Sequence, residues 1–427
     1  MRFWNELAGW GPIATVQTGL SRLFSPDVTS TAALASEFHG GTLSSGRAPA
    51  EPRVIALDGF RGLLTLMVVF SHYFAEVPSG TNALACGWIA VVLFFVLSGF
   101  LVGRLILEKK DRANFFSVFY VRRLCRTIPV YVFCVGLVFA IMIAFEGAHW
   151  LDADIMFPLW SYLSFTQNFF MISTESIGPH WLAPTWTLTV EEHFYLLAPA
   201  MFFIVPRRYL VAAFSLGIVL TIVFRMAVYW FGAFSPIAAL VLLPGVADTL
   251  LAGLIAGVLV KTDGIDWTRY DVSLRAAPLV ALLLAGLLKV IDGESGHSFD
   301  IFGGTLVALG GAAFLIALVR GAPEAKRLES PFFCFFGHNS YSIYLTHLAI
   351  LGLMHGLVLG SRPDIGGGIQ ILVTLMALPL CAIVGRVFTR FVEEPITAYG
   401  RSWKWSSERR STLNPAQRTA VPAALGT

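Results

Sequence analysis

The chain has 427 residues, of which 56% are hydrophobic and only 13% charged, with a mean hydropathy of +0.71 and a net charge of +3. That balance excludes an ordinary soluble globular domain, and continuous apolar runs exclude the alternating segments of a transmembrane β-barrel. Several runs reach the roughly 20 residues that cross a bilayer, so the expected fold is an all-α, polytopic integral membrane protein.

Residues 1–53 carry no apolar core followed by a small-residue cleavage site, and their Ser, Thr, Ala, Gly and Pro content reads as a flexible lead-in. Phe3, Trp4, Leu7 and Trp10 could form a short interfacial helix there. About ten spans follow, at 60–78, 88–107, 128–146, 186–205, 209–231, 236–260, 276–291, 302–320, 337–357 and 368–391. The stretch 157–172 is apolar but short, and Pro158, Gln167 and Asn168 mark it as interfacial or re-entrant. Residues 401–427 read as a short polar tail.

Charge placement orients the bundle. With a cytoplasmic N-terminus, the inner turns hold Lys109, Lys110, Arg112, Arg207, Arg208, Lys326 and Arg327, among others, whereas residues 147–185 contain no Lys or Arg. The positive-inside rule therefore predicts both termini in the cytoplasm. Basic residues track the membrane boundary, so no nucleic acid is implied. The five cysteines are scattered, without a CxxC pair or disulfide framework, and no metal site is expected.

Four constellations could carry chemistry. In LDGFRGLLTLMVVFSHYF (57–74), the eleven steps from Arg61 to His72 turn a helix by about 1100°, close to three whole turns. Both side chains then share one face, about 16 Å apart, and charged groups at such depth point to function. Arg61 as a snorkelling anchor and His72 as a packing residue are the alternatives. Residues 94–129 cross a short inner loop into the third span, and there Arg122 and Arg126, at i and i+4, share a helix face with Arg123 beside them, a cluster suited to phosphate or, more plainly, to the membrane boundary. Ser98-Gly99, upstream, allows close helix approach.

PTWTLTVEEHFYLLAP (184–199) buries Glu191 and Glu192 at a depth expected to match that of His72, so that one carboxylate, Glu191 by choice, could orient the imidazole. In FFGHNSYSIYLTHLAIL (335–351), Tyr344 and His347 can line one side of a cavity, with His347 either touching substrate or bonding across helices. FVEEPITAYGR (391–401) reads as structural, its glutamates pairing with nearby arginines.

LDGFRG, SHYF, FFVLSGFL, FYVRRLCRTIP, PTWTLTVEEHFYLLAP, GHNSYSIYLTHL and VEEP occur in the order found in acyltransferase family 3, integral membrane proteins that this chain resembles over about 54–400. The resemblance implies an enzyme of a bacterial cytoplasmic (inner) membrane. It would move an acyl group, usually acetyl, from cytoplasmic acyl-CoA to a hydroxyl of a carbohydrate or glycolipid acceptor. On that reading His72 is the general base, Arg61 guides the thioester and Glu191 or Glu192 supports His72. Arg122, Arg123 and Arg126 hold the CoA phosphates, and Ser98, Tyr344 and His347 line the substrate pocket. His193 stands where the family commonly has Gln. No hydrolase-like domain of the SGNH type follows the last span, which implies the stand-alone form. A proton-coupled secondary transporter is the alternative, since intramembrane His, Glu and Arg also build proton relays.

Overall fold

A computed structural model of the chain describes residues 54–81, 84–151, 155–293 and 296–408. The lead-in expected over 1–53 and most of the expected tail lie outside the described residues. Within them the chain is helical throughout: α1 (Ile55–Phe74), α2 (Gly87–Lys109), α3 (Phe115–Ala144), the short α4 (Leu159–Leu163) and α5 (Gln167–Thr174), and α6 (Thr185–Ile204). There follow α7 (Leu210–Phe231), α8 (Pro236–Val241), α9 (Leu243–Val260), α10 (Asp271–Asp292), α11 (Gly304–Val319), α12 (Pro323–Leu328), α13 (Pro331–His338), α14 (Ser340–Leu359), α15 (Gly368–Phe388) and α16 (Glu394–Ser402).

Among the described residues, nine helical runs are long and apolar enough to cross a membrane, where sequence reasoning counted about ten. The difference is α6, which has the length of a span but carries Glu191, Glu192 and His193 in its first half. The protein is a multi-pass, all-α membrane protein. Its outermost helix is α10, which buries only Ala281 and Ala285 and turns Leu283 and Val290 outward to the hydrocarbon.

Close backbone packing joins α2 to α9. A Cβ on Gly99 would fall 2.0 Å from the carbonyl oxygen of Leu250, and one on Gly253 2.0 Å from that of Val96. In lipid, where no hydrophobic drive pulls helices together, such backbone-to-backbone contact gains dispersion that larger residues would forbid. The seam therefore fixes the neighbouring Ser98 to within the tolerance of a backbone contact.

A polar staple, not foreseen from the sequence, ties α7, α9 and α11. Arg225 donates to Asp248 at 2.6 Å, and both are bonded to the hydroxyl of Thr305. Arg225 is 5% exposed and Asp248 0%, so the ion pair is shut off from solvent and lipid alike.

Two boundaries also differ from expectation. α3 begins at Phe115, well before residue 128, and runs unbroken through Pro129 with the arginine cluster on it, but the arginines that share a side are Arg123 and Arg126 instead of Arg122 and Arg126. Beyond α15 a π-turn, Thr389–Glu393, precedes Pro395 at the start of α16. The proline thus opens a new helix, where its missing N–H costs nothing. Glu394 pairs there with Arg386, Arg390 and His338, the structural role expected of this motif.

Candidate active site

Arg61, Arg123 and Arg126 converge on one cavity of about 340 Å³ bounded by α1, α2, α3, α6 and α14. α1 supplies Arg61, its seventh residue, and α3 supplies Arg123 and Arg126 from one side of its third and fourth turns. Phe94, Phe95, Leu101 and Leu105 of α2 form an apolar wall. Ser98, Glu191, Tyr195 and Tyr344 add polar groups. The guanidinium of Arg123 lies 4.5 Å from the centre of the Tyr195 ring, a cation–π contact that holds it in place while leaving its N–H groups for other acceptors.

Glu191 does not stand beside His72. Its carboxylate accepts from the Ser98 hydroxyl, which in turn accepts from Tyr195 at 3.3 Å. The reason is the depth at which α6 begins. Gln167 and Asn168, expected at an interface, are buried in α5 and donate into the α6 start: Gln167 to the Thr185 carbonyl and the Thr189 hydroxyl, Asn168 to the Trp186 carbonyl. The first turn of α6 is thus buried beneath residues 155–184, and Glu191 is carried down to the arginines. Glu192, one position round the helix, turns toward Thr127 of α3.

Arg122 parts from its two neighbours. Its guanidinium donates to the carbonyls of Trp403 (2.8 and 3.1 Å) and Arg401 (3.3 Å) and covers the Trp405 ring. Residues 403–408, expected as part of a free tail, form a strap along the start of α3, bonded also to Arg112 and Asn114. A donor whose N–H groups are spent on main-chain carbonyls has less left for a phosphate, so the three arginines are not equivalent.

The carboxylate that meets His72 is Glu76, four residues on, with His72 Nε2 3.3 Å from Glu76 Oε2. Sequence reasoning missed it, although the i, i+4 spacing was a usable signal. On the other side, His72 Nδ1 lies 2.9 Å from His347 Nε2. His347 is fully buried and its Nδ1 faces the Tyr344 carbonyl at 2.7 Å, so both ring nitrogens are engaged and neither faces the cavity. Tyr344 joins the two regions. It lines the cavity, bonds Thr187 at 3.0 Å, and its ring centre is 5.8 Å from that of His347. A line of polar groups therefore runs from the arginines past Ser98, Glu191 and Tyr344 to the histidine pair and Glu76. Among the described residues, no group of three or more His, Cys, Asp or Glu side chains could hold a metal ion.

The profile of acyltransferase family 3, described as an acyltransferase domain, matches residues 54–386. The chain is also similar to two proteins named O-acetyltransferase OatA, from Staphylococcus aureus strains NCTC 8325 / PS 47 and COL. Each is 27% identical over 376 residues, covering 82% of this chain and 58% of the relative. The chain thus spans less than two thirds of the length of these curated relatives.

Proposed function

This chain belongs to acyltransferase family 3, and from that premise we propose that it is an O-acyltransferase that takes an acyl group, acetyl by preference, from acyl-CoA and delivers it to a hydroxyl of a carbohydrate or glycolipid. The O-acetyltransferase relatives support the acetyl group and the oxygen acceptor. The observation that carries the reading is the single cavity lined by Arg61, Arg123 and Arg126 that leads to Tyr344, beside the His72–His347 pair.

In this mechanism Arg123 and Arg126 take the CoA phosphates by charge-assisted hydrogen bonds. The pantetheine arm lies along the apolar wall of α2, and Arg61 steers the thioester. His72 removes the proton from the acceptor hydroxyl, whose oxygen attacks the thioester carbonyl. The C–S bond breaks, and the departing thiolate takes the proton from His72 to leave as CoA thiol. Glu191, held by Ser98, balances the arginine charge between donor cycles. The membrane is the cytoplasmic membrane of a bacterium, with both termini and the arginine mouth inside, a topology supported by the basic inner turns.

The test is CoA-thiol release from acetyl-CoA in membranes of expressing cells. His72→Ala is expected to lower the rate by about 10²–10⁴-fold, the range of a lost general base, with CoA binding retained. Wild-type release by a folded His72→Ala protein overturns the assignment.

A further inference from the structure

Resting on the reading of His72 as the base, we propose that His347 is a positioning residue that fixes the tautomer of His72, so that Nε2 is the nitrogen that takes the acceptor proton. The direction of each hydrogen bond follows from what its atoms can do. A backbone carbonyl only accepts, so the Tyr344 carbonyl, 2.7 Å from His347 Nδ1, requires a proton on that nitrogen. A second proton on His347 would place a cation at zero exposure with no carboxylate bonded to it, an arrangement the low-dielectric interior opposes. His347 Nε2 therefore presents a lone pair, and the 2.9 Å contact is a donation from His72 Nδ1–H. Nε2 is then the nitrogen that gains and loses a proton, and when it holds one it donates to Glu76 Oε2, 3.3 Å away.

The acceptor side of the relay is rigid. The Tyr73 hydroxyl donates to the His347 carbonyl at 2.9 Å, Tyr73 is fully buried, and the His72 and His347 ring centres are 4.9 Å apart. The register between α1 and α14 is thus fixed at the residues that need it. His72 itself is 19% exposed and Glu76 45%, whereas His347 is fully buried, so the accessible end of the relay is the His72–Glu76 pair. Glu76 accepts from the Ser71 hydroxyl at 2.8 Å through its other oxygen, which keeps Oε2 directed at the ring. The proton taken from the acceptor then arrives between an imidazole and a carboxylate, and the imidazolium forms already paired. The titratable groups facing His72 are Glu76 beyond the end of its own helix, His347 from α14 and His180 from the 3-10 turn His180–Leu182.

The experiment is ¹⁵N solid-state NMR of the full chain, labelled at histidine and held in lipid bilayers at alkaline pH, with the His72 resonances identified by their loss in His72→Gln. The expected wild-type spectrum has the proton on Nδ1 and the lone pair on Nε2. His347→Ala is expected to convert His72 to a mixture of tautomers. It is also expected to lower thiol release from acetyl-CoA by about 10–100-fold and to displace its pH profile. In His347→Gln the side-chain carbonyl can accept from Nδ1–H, so the wild-type tautomer and about tenfold of the lost rate are expected to return. A wild-type proton on Nε2, or a His72 tautomer unchanged in His347→Ala, overturns the proposal, and the first of these needs no variant to fold. Undiminished thiol release in His72→Gln instead defeats the reading of His72 as the base, and the tautomer measurement stands apart from it.

Discussion

Replacing Arg225 with methionine removes one partner of an ion pair that the bundle has taken wholly out of solvent. Arg225→Met keeps most of the side-chain volume, so little cavity energy is added, while Asp248 loses the cation 2.6 Å away and keeps only the Thr305 hydroxyl. Leaving a buried charge without its partner costs about 3–5 kcal/mol. Inserting a charged residue at the centre of a membrane helix costs about 2.5–3.5 kcal/mol, which sets a lower expectation for the same event in lipid. A loss of about 3 kcal/mol is therefore expected, measured as a shift of the unfolding transition of the purified protein titrated with SDS in mixed micelles. Because a removed pair costs far less than a broken one, Arg225→Met/Asp248→Asn is expected to recover at least about 2 kcal/mol of that loss, read as a coupling energy in a double-mutant cycle. Arg225→Met within about 1 kcal/mol of wild type, or a double variant no more stable than the single, would refute the claim that this pair staples α7, α9 and α11.

Three further outcomes are expected. Arg123→Ala and Arg126→Ala should each weaken CoA binding by about 10–100-fold in calorimetry, the worth of one charge-assisted hydrogen bond. Arg122→Ala should weaken it by less than about threefold, since that guanidinium already serves Trp403 and Arg401, and the reverse order would refute the strap's hold on Arg122. Gly99→Val should destabilise the protein by about 1–3 kcal/mol and lower kcat more than it raises KM, because parting α2 from α9 moves Ser98. Unchanged stability in the same SDS titration would show that the seam is loose. The last concerns pH. Burial raises the Asp364 carboxyl, but the N–H groups of Ser79, Ile365 and Gly366 and the Ser79 hydroxyl outweigh it and hold Asp364 below the usual carboxylate range. A depressed carboxylate stabilises the fold above its unfolded value near about 4 and loses that contribution as pH falls through the folded value. The stability gap between wild type and Asp364→Ala should therefore close on acidification from pH 7 to 3, and a gap that widens would contradict it.

The spans were legible because each is an uninterrupted apolar run, and hydropathy reads such runs without knowing their neighbours. What misled was depth. Counting turns from the apolar edge of the span sets Glu191 level with His72, yet Gln167 and Asn168 bury the start of α6 and Glu191 meets Ser98 instead. A span edge read from composition says where a helix is apolar, not where its first turn sits. The third span is placed from 128 by composition because basic residues end apolar runs, whereas α3 starts at Phe115 and carries the arginines. Arg225 and Asp248 were passed over although each interrupts an apolar run, the usual mark of a buried partner. Glu76 was within one turn of His72, and the pairing of His347 with His72, 275 residues apart, could only come from the packing of α14 on α1.

The buried start of α6 bears on how the molecule is assembled. A segment with two glutamates and a histidine in its first half partitions poorly into lipid by itself, and its first turn depends on amides from α5 and on the company of α2 and α3. Those elements all precede it along the chain. The Tyr344 hydroxyl that meets Thr187 in the same turn comes instead from α14, far downstream, so the candidate active site is assembled from both ends of the chain and is closed only when α14 arrives.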